Sequence, residues 1–128
     1  MSIPPQPTTS TTLDIYVNQN ATFKMSFSLT DSASGTPIDI TSWSFSGSVA
    51  TFSDATPITY FTMSVISPSS SSVQMELTPS QTELLTSSYY YYDVIAANAA
   101  PVPPEVYRLL QGKVKVNLGI TVASTSSL

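Results

Sequence analysis

From Thr22 to Leu29 the chain reads Thr-Phe-Lys-Met-Ser-Phe-Ser-Leu, apolar and polar side chains alternating without a miss. Phe23, Met25, Phe27 and Leu29 fall on one face, and Thr22, Lys24, Ser26 and Ser28 on the other. Only the two-residue side-chain period of a β-strand separates those sets. The pattern recurs along the chain in runs punctuated by Ser, Pro, Gly and Asp. Leu13 to Val17 sets Ile15 and Val17 inward, and Asn18-Gln19-Asn20 turns the chain into the Phe23 run. Asp31 to Pro37 holds the Asp, Gly and Pro of a turn. Ile38 and Ile40 then rejoin the core, and Trp43, Phe45, Gly47 and Val49 alternate with serines. Gly47, small among large neighbours, marks a bulge or the close approach of another backbone. Residues 50 to 59 read as a loop. Phe61, Met63 and Val65 form another inward set, and Val73, Met75 and Leu77 the next.

At Thr78 the period changes. Thr78-Pro79-Ser80-Gln81 places Thr at an N-cap, Pro at the first helical position and Gln three residues after the cap. This capping-box arrangement predicts one short helical turn over residues 79–85. Tyr89 to Ile95 returns to strand, with Tyr90, Tyr92 and Val94 inward and Tyr89, Tyr91 and Asp93 outward. Residues 96 to 105 contain three prolines, which bar regular pairing and predict a long hairpin loop. The last strand runs from Val106 to about Asn117. Simple alternation places Val106, Arg108, Leu110, Gly112, Val114 and Val116 on one face and Lys113 and Lys115 on the other, with Ile120 and Val122 extending the strand. Seven or eight short strands with turn signals between them describe an all-β chain folded as an antiparallel β-sandwich. Residues 1–12, rich in Pro, Ser and Thr, read as an extended arm, residues 13–122 as the sandwich and residues 123–128 as a tail.

Composition narrows the function. The 128 residues suit one domain that buries a core without a staple. The absence of Cys and His removes zinc sites, thiol nucleophiles and Ser-His-Asp triads, so no metal or cofactor is expected. Charged residues make up 9% of the chain, against roughly 25% in ordinary soluble domains. Polarity comes instead from 40 Ser and Thr. Four cations, Lys24, Arg108, Lys113 and Lys115, are too few to track a phosphate backbone, which excludes nucleic acid as a partner. The segment Met1-Ser-Ile-Pro-Pro-Gln-Pro7 lacks the basic and apolar runs of a signal peptide, and no apolar stretch is long enough for a membrane span. Asn20-Ala21-Thr22 is then a chance sequon. A surface of hydroxyls and small apolar groups is cheap to desolvate, which suits a protein covered by neighbours. A neutral extracellular-type surface has the same composition.

Five motifs follow one another in a fixed order: Asp14 to Phe23, Gly35 to Phe45, Val73 to Thr82, Tyr90 to Val94, and Arg108 to Val116. Together they resemble the immunoglobulin-like β-sandwich of tailed-phage virion proteins, similar to the N-terminal domain of the baseplate upper protein family. The resemblance covers residues 13 to 118. It implies an immunoglobulin-like fold and a non-enzymatic virion structural protein of the tail, baseplate or fibre-attachment region. Its partners would be other virion proteins and copies of itself. A capsid decoration protein and a host-glycan-binding module are the alternatives. Family members commonly carry an Arg-rich strand after the Trp/Phe segment, whereas Ser46 to Phe52 has no Arg, so partner choice is expected to differ.

The candidate interface residues are Tyr89 and Tyr91, Pro4, Pro5 and Pro7 of the arm, and Arg108. Tyr anchors contacts with little loss of side-chain entropy, and an exposed strand face is the bland alternative. An extended Pro-rich segment suits laying along a partner, and plain disorder is its alternative. Arg108 reads either as a rim residue paired locally or as a docking contact. Asp14, Asp31, Asp39 and Asp93 lack the spacing of a calcium loop, and Asp93 with Glu76 lacks the facing geometry of a glycosidase pair.

Overall fold

In the computed structural model, residues 11–52 and 56–119 are described; Pro4, Pro5 and Pro7 lie outside them, as do Ile120 and Val122. Among the described residues, nine strands and one helix follow in order: β1 (Thr11–Thr12), β2 (Ile15–Asn18), β3 (Phe23–Ser28), β4 (Trp43–Ala50), β5 (Thr59–Tyr60), β6 (Thr62–Ser67), β7 (Ser72–Leu77), α1 (Pro79–Glu83), β8 (Tyr89–Asn98) and β9 (Glu105–Asn117). They form an all-β sandwich. The larger sheet has the order β1-β9-β8-β4-β5, with β2 on the same edge as β1, and the smaller has the order β3-β7-β6.

Alternation places the core where the sequence predicts it. Val73, Met75 and Leu77 of β7 are fully enclosed, and Trp43, Val49, Tyr90, Tyr92, Val94 and Val114 face them from the larger sheet. Trp43 lies between Phe45 and Tyr107, with ring centroids 6.5 and 5.8 Å away and planes near parallel. Gly47 keeps regular register with Val94. Its role is space, since a Cβ there would lie 2.9 Å from the Phe61 ring and 3.1 Å from the Asp93 carbonyl. The capping box forms as expected: Gln81 N–H donates to Thr78 Oγ1 at 3.3 Å, and Thr78 N–H donates to Gln81 Oε1 at 2.8 Å. Thr82 Oγ1 then donates to the Ala21 carbonyl at 2.9 Å, tying the helix to the β2–β3 turn.

Two departures from simple alternation matter for the surface. The register of β8 and β9 shifts so that Val94 opposes Leu110 while Ile95 opposes Arg108, leaving Leu109 as the extra residue of a bulge. Leu109 and Leu110 are both buried, and the alternation upstream inverts. Val106 and Arg108, expected on the face of Leu110, lie on the outer face instead.

The second departure is at the N-terminal edge. Thr11–Thr12, expected within the arm, pair parallel with Leu110 and Gln111, and β2 pairs parallel with Val114 to Asn117. Between them Leu13 and Asp14 cross over Gly112. The Leu13 carbonyl oxygen sits 2.2 Å from where a Gly112 Cβ would be, so only glycine admits the crossing. The Tyr92 hydroxyl, directly across from Gly112, donates to that carbonyl at 2.5 Å.

Candidate functional site

The outer face of the larger sheet collects the exposed aromatic residues, and strand pairing sets their positions. Tyr16 of β2 opposes Lys115 of β9, which opposes Tyr89 of β8. In the next row Lys113 opposes Tyr91, which opposes Ala50 of β4. In the row after that, Gln111, Asp93 and Ser48 stand side by side. Inner and outer residues alternate along β8, so burying Tyr90 and Tyr92 forces Tyr89 and Tyr91 outward. Tyr16, Tyr89 and Phe52 are each more than 60% exposed.

A groove of about 390 Å³ runs across this face. Phe52 and Tyr91 supply apolar surface, Asp93 and Gln111 supply acceptors and an amide, and Asp14 and Arg108 lie along its side. The Arg108 Nε is 3.6 Å from Asp93 Oδ2, and Lys115 Nζ is 3.6 Å from Asp14 Oδ2. Both pairs are exposed and fix geometry more than they stabilise. The backbone N–H of Lys113, bonded to Asp14 Oδ1 at 3.1 Å, is the main influence holding the Asp14 carboxyl below its ordinary pKa; burial opposes it, and the nearby charge of Lys115 adds to the lowering. Lys115 lies 5.5 Å from the centre of the Tyr16 ring, and Tyr16 and Asp14 together raise its pKa.

The structure thus brings Tyr91 and Arg108 into one groove. Tyr89 lies a row away on the same face, beside Lys115, and Pro4, Pro5 and Pro7 lie outside the described residues. Sequence reading did not select Tyr16, Phe52, Asp14, Gln111 or Lys113 for this surface. Only Tyr16 carried a signal, as the aromatic residue between inward Ile15 and Val17. The groove offers flat faces to stack against beside charged and amide groups that can donate and accept hydrogen bonds. Among the described residues, no three His, Cys, Asp or Glu side chains gather as a metal site would require.

No protein-family model matches this chain, and no curated protein does so.

Proposed function

We propose that this chain is a non-enzymatic structural module of a phage virion, placed in the tail, baseplate or fibre-attachment region, where it binds neighbouring virion subunits. The observation that carries the binding role is the outer face of the larger sheet. It exposes Tyr16, Tyr89, Tyr91 and Phe52, and two of its three cations, Lys115 and Arg108, are paired to Asp14 and Asp93. Burial of those rings against a partner supplies the binding energy, and the charges beside them orient it.

The immunoglobulin-like reading, and with it the virion resemblance, draws support from three details. The strand order places three strands on one sheet and β9-β8-β4 at the centre of the other, with the N-terminal strand parallel to the last. Trp43 is buried on the first long strand of the larger sheet. The Tyr90 hydroxyl, at the start of β8, accepts the Ser87 N–H at 2.9 Å, as a tyrosine corner does.

Immunogold labelling of purified virions with antibody against this chain tests the placement. Label on the tail or baseplate is the expected result, and label over the head makes the chain a capsid decoration protein. Tyr91→Ala should lower incorporation into particles while leaving the fold intact. A second reading, host-glycan binding, is favoured by one observation: the groove sets Tyr91 and Phe52 beside Asp93, Gln111 and Arg108, groups that stack on sugar rings and bond to hydroxyls. Under that reading Tyr91→Ala abolishes binding on a glycan array and leaves particle incorporation unchanged.

A further inference from the structure

The smaller sheet ends on β3, and among the described residues no strand pairs with its outer side. We infer that β3 is the seam of a two-fold dimer, in which the β3 strands of two copies pair antiparallel and join the small sheets into one. This inference is independent of where the protein resides.

Three observations lead to it. The first is burial. Phe23, Met25 and Phe27 face inward in direct register with Leu77, Met75 and Val73. The β7 residues are completely enclosed, yet the β3 row remains only partly covered. A hollow of about 270 Å³ between the sheets, lined by Phe27, Leu109, Leu110 and Thr11, lies at the same side of the sandwich.

The second is the contrast with the other sheet edges. A register shift after Val65 breaks β6, β5 has two residues, and the β1–β2 edge is interrupted at Leu13 and Asp14. These are the usual protections of an edge. In contrast, β3 has six residues in unbroken register, no Pro or Gly, and one charge, Lys24, which is 3.9 Å from Glu76.

The third is self-complementarity. Leu29 N–H bonds to the Ser71 carbonyl across the β7 side. Alternation therefore directs the backbone groups of Phe23, Met25 and Phe27 to β7, and those of Lys24, Ser26 and Ser28 to the free side. An antiparallel partner copy must oppose inward residues with inward residues. Centred on Met25, the pairing sets Phe23 against Phe27, Met25 against Met25, and Lys24 against Ser26 of the second copy. Centred on Lys24 it would set two ammonium groups face to face, and centred on Ser26 it would leave Phe23 without a partner in β3. The Met25 register alone satisfies the backbone, the apolar row and the charge, and its two-fold symmetry closes the assembly.

The test uses the full chain. Sedimentation of the wild type over a concentration series should show a monomer–dimer equilibrium. Ser26→Lys places a second ammonium against Lys24 of the other copy twice per dimer and should raise the dissociation constant about tenfold or more. Ser26→Pro removes a free-edge donor, a substitution that edge strands accept, and should also give monomer with an unchanged circular dichroism spectrum. Because the chain has no cysteine, Met25→Cys reports the register directly. A non-hydrogen-bonded antiparallel pair sets its Cα atoms about 4.5 Å apart, within disulfide range, so mild oxidation should cross-link Met25→Cys and not Lys24→Cys. Tyr91→Ala, on the opposite sheet, should leave the dimer unchanged. A protein that stays monomeric throughout the series, a dimer indifferent to Ser26→Lys, or cross-linking of Lys24→Cys but not Met25→Cys would each overturn the inference.

Discussion

Replacing Gly112 by alanine should detach the N-terminal edge from the sandwich, and the structure sets the size of the effect. The added Cβ would meet the Leu13 carbonyl oxygen at 2.2 Å and its carbon at 2.8 Å. Restoring ordinary van der Waals contact requires the Leu13 peptide to move by about 1 Å or more. That peptide is held on both sides: Leu13 N–H donates to the Gln111 carbonyl at 2.8 Å, and the Leu13 carbonyl accepts the Tyr92 hydroxyl at 2.5 Å. Two lost hydrogen bonds cost about 1 kcal/mol each, and a buried phenol left without a partner adds about 1–2 kcal/mol. The expected total is about 3–4 kcal/mol, a large share of the roughly 5–15 kcal/mol that stabilises a domain. Urea denaturation followed by Trp43 fluorescence measures the loss, and amide exchange should show faster exchange in β2. Tyr92→Phe alone should cost about 1 kcal/mol. Since the lost phenol bond and the orphaned phenol both disappear when the hydroxyl is already absent, the double variant should cost about 2–3 kcal/mol less than the sum of the two. A Gly112→Ala protein as stable as the wild type, or strict additivity with Tyr92→Phe, would refute the proposed crossing.

Other expectations follow from the same contacts. Burial, with a smaller contribution from the Asp14 charge, pushes the Tyr92 phenol up to about 12. An unfolded tyrosine ionises near pH 10, so the folded state keeps its proton longer. Stability from this group is complete below pH 10 and is lost as pH rises from 10 to 12, by about 2 kcal/mol in urea titrations; Tyr92→Phe should flatten that slope. Trp43→Ala should cost roughly 3–5 kcal/mol, whereas Phe27→Ala, on the half-covered β3 row, should cost only about 1–2 kcal/mol. Gln81→Ala removes half of the capping box and the bond from Gln81 Nε2 to the Tyr60 carbonyl at 2.8 Å, and should destabilise by about 1–2 kcal/mol in the same assay.

The elements with strong alternation were legible in the sequence because burial and period coincide there. The rows of β3, β4, β7 and β8, the capping box and the outward pair Tyr89 and Tyr91 all follow from spacing alone. Where the reading failed, the cause was a contact between residues distant in sequence. A bulge at Leu109 adds one residue, and a two-residue period then reports the wrong face for Val106 and Arg108. Thr11–Thr12 carry no apolar signal, and their pairing depends on the β9 edge at Leu110 and Gln111. The groove was illegible for the same reason: Asp14, Phe52, Asp93 and Gln111 meet only through pairing across four segments of the chain. Asp14, Asp93 and Gln111 stand far apart in sequence, yet the sheet register sets them beside Tyr91.

The parallel pairing of β2 with β9 also decides how the domain bears a mechanical load. Ile15 opposes Val114 and Asn18 opposes Asn117, so the incoming end of one strand and the outgoing end of the other lie at opposite ends of the ladder. A pull between residues 11 and 117 therefore slides the two strands along each other and loads their hydrogen bonds together, in shear. The antiparallel pair of β3 and β7 has the opposite character: traction at its ends opens the bonds one after another. The same sandwich is stiff along the axis of its terminal strands and compliant across it, so the direction of traction selects which sheet yields first.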